Sequence, residues 1–173
     1  MTSSVFFYCL QGVDIGIMEN GKAVTGVFFG SKAPADIARF SGSHGAVKFS
    51  ETATPLIKKT AAQIEEYLAG KRKQFTIPIA MYGTEFQMAV WQALQTIPFG
   101  ETRSYKEIAI MIGKPKAVRA VGMANNRNPV SIIVPCHRVI GHDGKLVGYG
   151  GGLSLKQHLL ELEHSIALKS QKN

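Results

Sequence analysis

Pro135-Cys136-His137-Arg138-Val139 is the stretch whose residue types are best suited to chemistry. It follows a β-branched run, Ser131-Ile132-Ile133-Val134, which reads as a buried strand, and it precedes the turn signal Ile140-Gly141-His142-Asp143-Gly144. An imidazole and a guanidinium beside a thiol favour the thiolate, the form of cysteine that acts as a nucleophile. The competing reading is a small hydrophobic cysteine packed into a core. The chain's other cysteine, Cys9, sits in the apolar run Val5 to Leu10 and reads as structural. Two cysteines without Cys-x-x-Cys spacing argue against a zinc site, so no metal and no cofactor are expected.

The elements that must position this thiol divide the chain in two. Residues 1–80 read as a small α/β supporting unit. Val5 to Leu10, Asp14 to Met18 and Ala23 to Phe29 are short apolar runs, and Asn20-Gly21 between the last two signals a hairpin. Pro34 to Phe40 reads as a short helix and residues 41–52 as loop. Thr54 suits the cap of an amphipathic helix reaching Leu68, and Phe75 to Ala80 reads as a further strand.

Residues 81–173 are mostly helical, making the whole chain α+β. Ser or Thr followed three residues later by Glu or Gln recurs at Thr84/Gln87, Ser104/Glu107 and Ser154/Gln157, three capping boxes that open three helices. Gly113-Lys114-Pro115 separates the Ser104 helix from one beginning at Lys116, the signature of a helix-turn-helix. An αα-corner that merely packs would give the same pattern. The second helix, Lys116-Ala-Val-Arg119-Ala-Val-Gly-Met-Ala124, lacks the side chains that read base edges in the major groove. Its small residues suit close approach to a narrow groove, with Arg119 and nearby lysines supplying charge.

The 173 residues carry a net charge of +8 and a pI near 9.6, which favours a polyanionic partner, nucleic acid before an acidic membrane surface. A mean hydropathy of +0.03 is that of an ordinary soluble globular chain. No apolar run is long enough to cross a bilayer, and no secretory leader is visible. The expected location is the cytoplasm, or the nucleus in a eukaryote, with no membrane partner.

Arg119-Ala-Val-Gly, Asn128-Pro-Val, Pro135-Cys-His-Arg-Val139 and Gly148-Tyr-Gly-Gly-Gly-Leu153, in that order, resemble the O6-alkylguanine-DNA alkyltransferases, or methylated-DNA–protein-cysteine methyltransferases. The resemblance covers Thr84 to Glu163. Residues 1–80 resemble that family's ribonuclease-H-like domain in pattern only. It implies a single-turnover, irreversible reaction on double-stranded DNA bound through its minor groove, the alkylated guanine being flipped out and its O6-alkyl group moved to the protein. O4-alkylthymine is a second implied substrate. Cys136 is then the acceptor, His137 its base through a water, Glu163 the residue that orients His137, and Asn128 the support of the turn. Arg119 fills the gap left by the flipped base, and Ala117, Val118, Ala120 and Gly122 face the DNA. Tyr105, Val139 and Gly150 form the base pocket, with main-chain contacts at Cys136, Val139 and Gly150. Many relatives have Ser where this chain has Gly150. The implied protein is a monomer, with cooperative binding along DNA left open. Two rivals remain at this point: a damage-binding protein without transfer, and a thiol hydrolase indifferent to DNA.

Overall fold

The computed structural model describes residues 3–30, 37 and 47–170. They fall into two compact units, Met1–Tyr82 with Pro129–Ser131, and Gly83–Asn128 with Ile132–Asn173.

The first unit is built on a four-stranded sheet of β1 (Ser3–Leu10), β2 (Val13–Glu19), β3 (Val24–Phe29) and β4 (Val47–Phe49), in the order β3-β2-β1-β4. The expected meander is present. Gln11 and Gly12 both take positive φ, which matches the twist of the antiparallel β1–β2 pair. The Asn20 side chain accepts from the Lys22 and Ala23 amides, and Gly21 takes φ +86°, closing β2 onto β3. Every residue of β3 is buried, which suits a strand that is apolar except for Thr25. α1 (Pro55–Leu68) buries Ile57, Ala61, Ile64 and Leu68 at helical spacing, with Thr54 accepting from the Ile57 amide and Pro55 in the first turn.

Two expectations for this unit change. Residues 47–49, expected as loop, pair in parallel with β1. Phe75 to Ala80, expected as a strand, makes only an isolated bridge from Ile79 to Val24. Pro78 has no N–H to give a ladder, and the Thr76 amide is taken by the Gln63 side chain. The helix expected over Pro34 to Phe40 lies outside the described residues except Ile37, which is buried with Val5, Met18 and Phe28.

The second unit holds α2 (Glu85–Gln95), β5 (Arg103–Ser104), α3 (Tyr105–Met111), α4 (Val118–Asn126), β6 (Val139–Ile140) and α5 (Leu153–Ser170). The boxes at Thr84 and Ser104 form with both reciprocal bonds. The one expected at Ser154 does not: α5 starts at Leu153, the Lys156 amide bonds the Gly152 carbonyl, and Ser154 lies inside the first turn. Gly113 (φ +68°) ends α3, with its amide on Ile110 and that of Lys114 on Ala109, the paired bonds of a Schellman motif. Pro115 then lies in a turn, and α4 begins at Val118, two residues later than expected. The core gathers Val90, Trp91 and Leu94 of α2, Ile108 of α3 and Val121 of α4, and the Trp91 indole donates to the Ala124 carbonyl at 2.9 Å.

The run before the cysteine differs most from its reading. Ser131–Val134 is a turn between two bridge residues rather than a strand, and Ile132 takes φ +68°. That conformation is unfavourable for a β-branched residue. Burial explains the apolar run, because Ile132 and Val134 are fully enclosed.

The caps make a paired test. Thr84→Ala or Ser104→Ala is expected to cost about 1 kcal/mol, a fall in melting temperature of roughly 2–4 °C. Ser154→Ala should leave the melting temperature unchanged or slightly raised; an equal fall at all three sites would contradict the observed start of α5.

Candidate active site

Cys136 opens a single 3₁₀ turn, Cys136–Arg138, closed by bonds from the Arg138 amide to the Pro135 carbonyl and from the Val139 amide to the Cys136 carbonyl, while the Cys136 amide bonds the Val134 carbonyl just ahead of it. In a three-residue turn neighbouring side chains point about 120° apart. Cys136 and His137 therefore diverge, as the extended reading also required, though by helical rather than strand geometry. Cys136 is 3% exposed and His137 fully buried. A two-residue parallel ladder pairs Arg103 with Val139 and Ser104 with Ile140. The ladder thereby ties β5, which runs directly into α3 at Tyr105, to β6, which follows directly from the 3₁₀ turn.

Glu163 reaches the same turn from α5. Its Oε1 lies 2.8 Å from His137 Nε2, and Arg138 spans both oxygens, with Nε at 3.1 and 3.0 Å and a terminal nitrogen at 3.0 Å from Oε1. The Gly100 amide donates to Oε2 at 2.8 Å. Gly100 has φ +83°, and a Cβ there would lie 2.7 Å from the Ala167 Cβ, so a glycine is required for this approach. Burial alone would raise the Glu163 carboxyl, but the hydrogen bond from His137 and the bonds and charge of Arg138 outweigh it and hold it at about 2. Burial pushes His137 below its ordinary value despite the carboxylate, so the ring is neutral near pH 7. A neutral ring facing a carboxylate through Nε2 must carry its proton there, which leaves Nδ1 as the basic nitrogen.

Asn128 Nδ2 donates to the Val134 carbonyl at 2.8 Å, spanning the Ile132–Ile133 turn. The Cys136 carbonyl accepts from the Val139 amide and from Asn125 Nδ2, so both of its acceptor positions are engaged. The buried Val139 gives its carbonyl to Lys156 Nζ at 2.6 Å, and Gly150 is exposed. Tyr105 is half-buried, its hydroxyl donating to the Val147 carbonyl at 2.9 Å. Burial, and then the Cys136 charge, raise Tyr105 to about 12.

Arg119, Ala120, Met123, Asn126 and Arg127 form the exposed side of α4, while Ala117, Val118 and Gly122 are half-buried. Val121, Ala124 and Asn125 face inward.

Three residues of the site have partners that the sequence did not reveal, and Lys156 carried no signal in it at all. Lys156, fully buried on α5, donates to Val139 and Val147, and its ammonium lies 5.9 Å from the centre of the Tyr105 ring. Burial lowers it to about 8, with the Cys136 charge acting the other way. Arg138, whose second terminal nitrogen donates to the Ile97 carbonyl at 2.7 Å, joins the Glu163 knot to the end of α2. Tyr149 packs edge-on to the His137 ring at 6.5 Å. A helix that buries Lys156, Leu159 and Glu163 at i, i+3 and i+7 does not look amphipathic, so only the stripe itself reveals them.

Removing the Glu163 charge would strand Arg138 as a buried cation. Glu163→Gln is expected to cost about 3–5 kcal/mol in denaturant unfolding. The folded carboxyl sits below its ordinary 4.5, so the stability it contributes is complete above pH 4.5 and is lost as pH falls toward about 2. The variant should lack that part of the acid limb; an unchanged limb would contradict the assignment.

The profile of the 6-O-methylguanine DNA methyltransferase DNA-binding domain matches residues 85–165, and that of the same family's ribonuclease-like domain matches residues 14–81. The methylated-DNA–protein-cysteine methyltransferase of Methanosarcina barkeri is 59% identical over 108 residues, which are 62% of this chain and 68% of that protein. The crystal structure of Mycobacterium tuberculosis O6-methylguanine methyltransferase superposes with a TM-score of 0.78 at 41% identity, over 94% of this chain and 93% of that one. That of Mycobacterium tuberculosis OGT in complex with DNA gives 0.77 at 39%, over 96% and 94%. With both of its units matched, one to each domain of a single family, this chain belongs to the methylated-DNA–protein-cysteine methyltransferases.

Proposed function

We propose that this chain repairs DNA by moving the alkyl group of an O6-alkylguanine onto Cys136, once per molecule and irreversibly. The observation that carries the reading is the 3₁₀ turn on which Cys136 is followed by an imidazole whose Nε2 is held by a buried carboxylate at 2.8 Å. That arrangement leaves Nδ1 to take the thiol proton through a water, as general-base activation of a nucleophile requires.

The thiolate attacks the carbon attached to O6. The carbon–sulfur bond forms as the carbon–oxygen bond breaks, and the electron pair leaves on guanine. Tyr105, held protonated by its raised pKa, supplies the hydrogen bond or proton that the departing guanine needs. Its hydroxyl must first give up the Val147 carbonyl. The thioether product has no good leaving group, so the sulfur is spent. A base stacked in a duplex cannot present O6 to a buried sulfur, so the nucleotide has to be flipped out, at a cost of a few kcal/mol.

Arg119 stands on the exposed side of α4 among small residues, which suits entry into the minor groove with the guanidinium filling the gap left by the base. The Val139 carbonyl, with its second lone pair, and the main chain of the exposed Gly150 suit the base edge. Asn128 keeps the turn before Cys136 closed. The chain acts on DNA as a monomer in the cytoplasm, or in the nucleus of a eukaryote, and O4-alkylthymine is a second candidate substrate. The damage-binding alternative gains nothing from a cysteine with a paired histidine and is set aside.

Incubation with a duplex carrying radiolabelled O6-methylguanine should place label on Cys136, and a Cys136→Ser protein should bind the duplex within about twofold of wild type while taking up none. Label elsewhere, or loss of binding with the sulfur, would refute the assignment. Arg119→Ala should slow repair in duplex by about tenfold or more and leave reaction with free O6-benzylguanine nearly unchanged. Equal losses on both substrates would show that Arg119 is not the finger.

A further inference from the structure

Asn125 stands at the C-terminal end of α4, six residues beyond Arg119, and is 2% exposed. Its Nδ2 donates to the carbonyl of Cys136 at 3.3 Å. Its Oδ1 is buried and has no hydrogen-bond partner among the described residues. The amide cannot simply be turned over, because Oδ1 would then face the Cys136 carbonyl, acceptor against acceptor.

An enclosed amide oxygen without a donor costs stability, and an apolar side chain of similar shape would avoid the cost. Three donors of this region serve other acceptors. The Trp91 indole serves the Ala124 carbonyl, Asn128 Nδ2 serves Val134, and the Asn128 amide serves the Asn125 carbonyl. A single water is the donor that suits an enclosed polar gap of this kind. The other end of the same planar amide rests on the nucleophile's own peptide, so a water on Oδ1 stands next to residue 136.

We propose that Asn125 is a positioning residue for the transfer: Nδ2 fixes the Cys136 carbonyl, and Oδ1 accepts from the water that carries the Cys136 proton to His137. The inference rests on the alkyl-transfer reading. Such a water donates one hydrogen to Oδ1 and the other to Nδ1 of His137, leaving a lone pair for the thiol. When the S–H bond breaks, its proton joins the water oxygen, the water passes a proton to Nδ1, and the sulfur keeps the electron pair. Without Oδ1 the water loses one of its three anchors and its orientation. Because Asn125 shares α4 with Arg119, the helix that meets DNA also orients the proton path.

The test is the pH dependence of Cys136 alkylation in a Cys9→Ser background, with free O6-benzylguanine and with iodoacetamide as electrophiles. Tyr105, Arg138, Lys156 and Glu163, the other titratable groups at this turn, stay as they are. Asn125→Leu should react about tenfold more slowly at neutral pH. It should recover as hydroxide removes the thiol proton directly, moving the rate profile up by about one pH unit. Duplex binding should be retained. A profile lowered equally at every pH, or one that superposes on wild type, would overturn the proposal. Should Asn125→Leu fail to fold, Asn125→Asp keeps the shape but sets a carboxylate against the Cys136 carbonyl and beside the thiol. Its profile must also move to higher pH, and an unmoved one would overturn the proposal equally. If wild type reacts with iodoacetamide and shows the Asn125 effect but takes no alkyl group from O6-alkylguanine, the transfer reading fails while the proton path stands.

Discussion

The site depends on one carboxylate. Glu163 lies 1% exposed on α5 and takes bonds from His137, from Arg138 through two nitrogens and from the Gly100 amide. A buried anion is tolerable only when donors satisfy it, and here they come from two separated parts of the chain. The residue that fixes the imidazole tautomer is therefore also the one that holds the 3₁₀ turn, the end of α2 and the last helix together. Chemistry and stability at this turn cannot be separated.

Lys156 applies the same economy two turns earlier on α5. Its ammonium bonds the carbonyls on either side of the 140–146 loop and faces the Tyr105 ring. The loop, the tyrosine and the thiol are thus arranged around a single buried cation. A cation there also favours the charged form of the sulfur.

Local signals in the sequence were reliable where a motif decides the structure within a few residues. Asn20-Gly21, Thr54-Pro55 and the boxes at Thr84 and Ser104 each close their own hydrogen bonds, and each appears where its residues place it. Motifs whose outcome depends on distant partners misled. Ser131–Val134 is apolar because it is enclosed, and its turn is held by an asparagine upstream rather than by its own β propensity. Ser154 followed by Gln157 has the right letters, but Gly152 starts the helix first. Phe75 to Ala80 loses its ladder to Pro78 and to a glutamine on α1. In the site, the Cys136-His137-Arg138 run was visible as chemistry at once. The reading of Glu163 needed family register, and Asn125 and Lys156 were invisible, since a buried polar residue has no mark until its partners are in place.

In the proposed reaction the sulfur is a consumed reactant rather than a recycled catalyst. Its most direct test is the intact mass of the protein titrated with excess O6-methylguanine duplex, followed by mapping of the modified peptide. The expected result is a gain of one methyl group per chain, located on Cys136, after which no further substrate is consumed. Continued turnover with an unmodified Cys136 would contradict it.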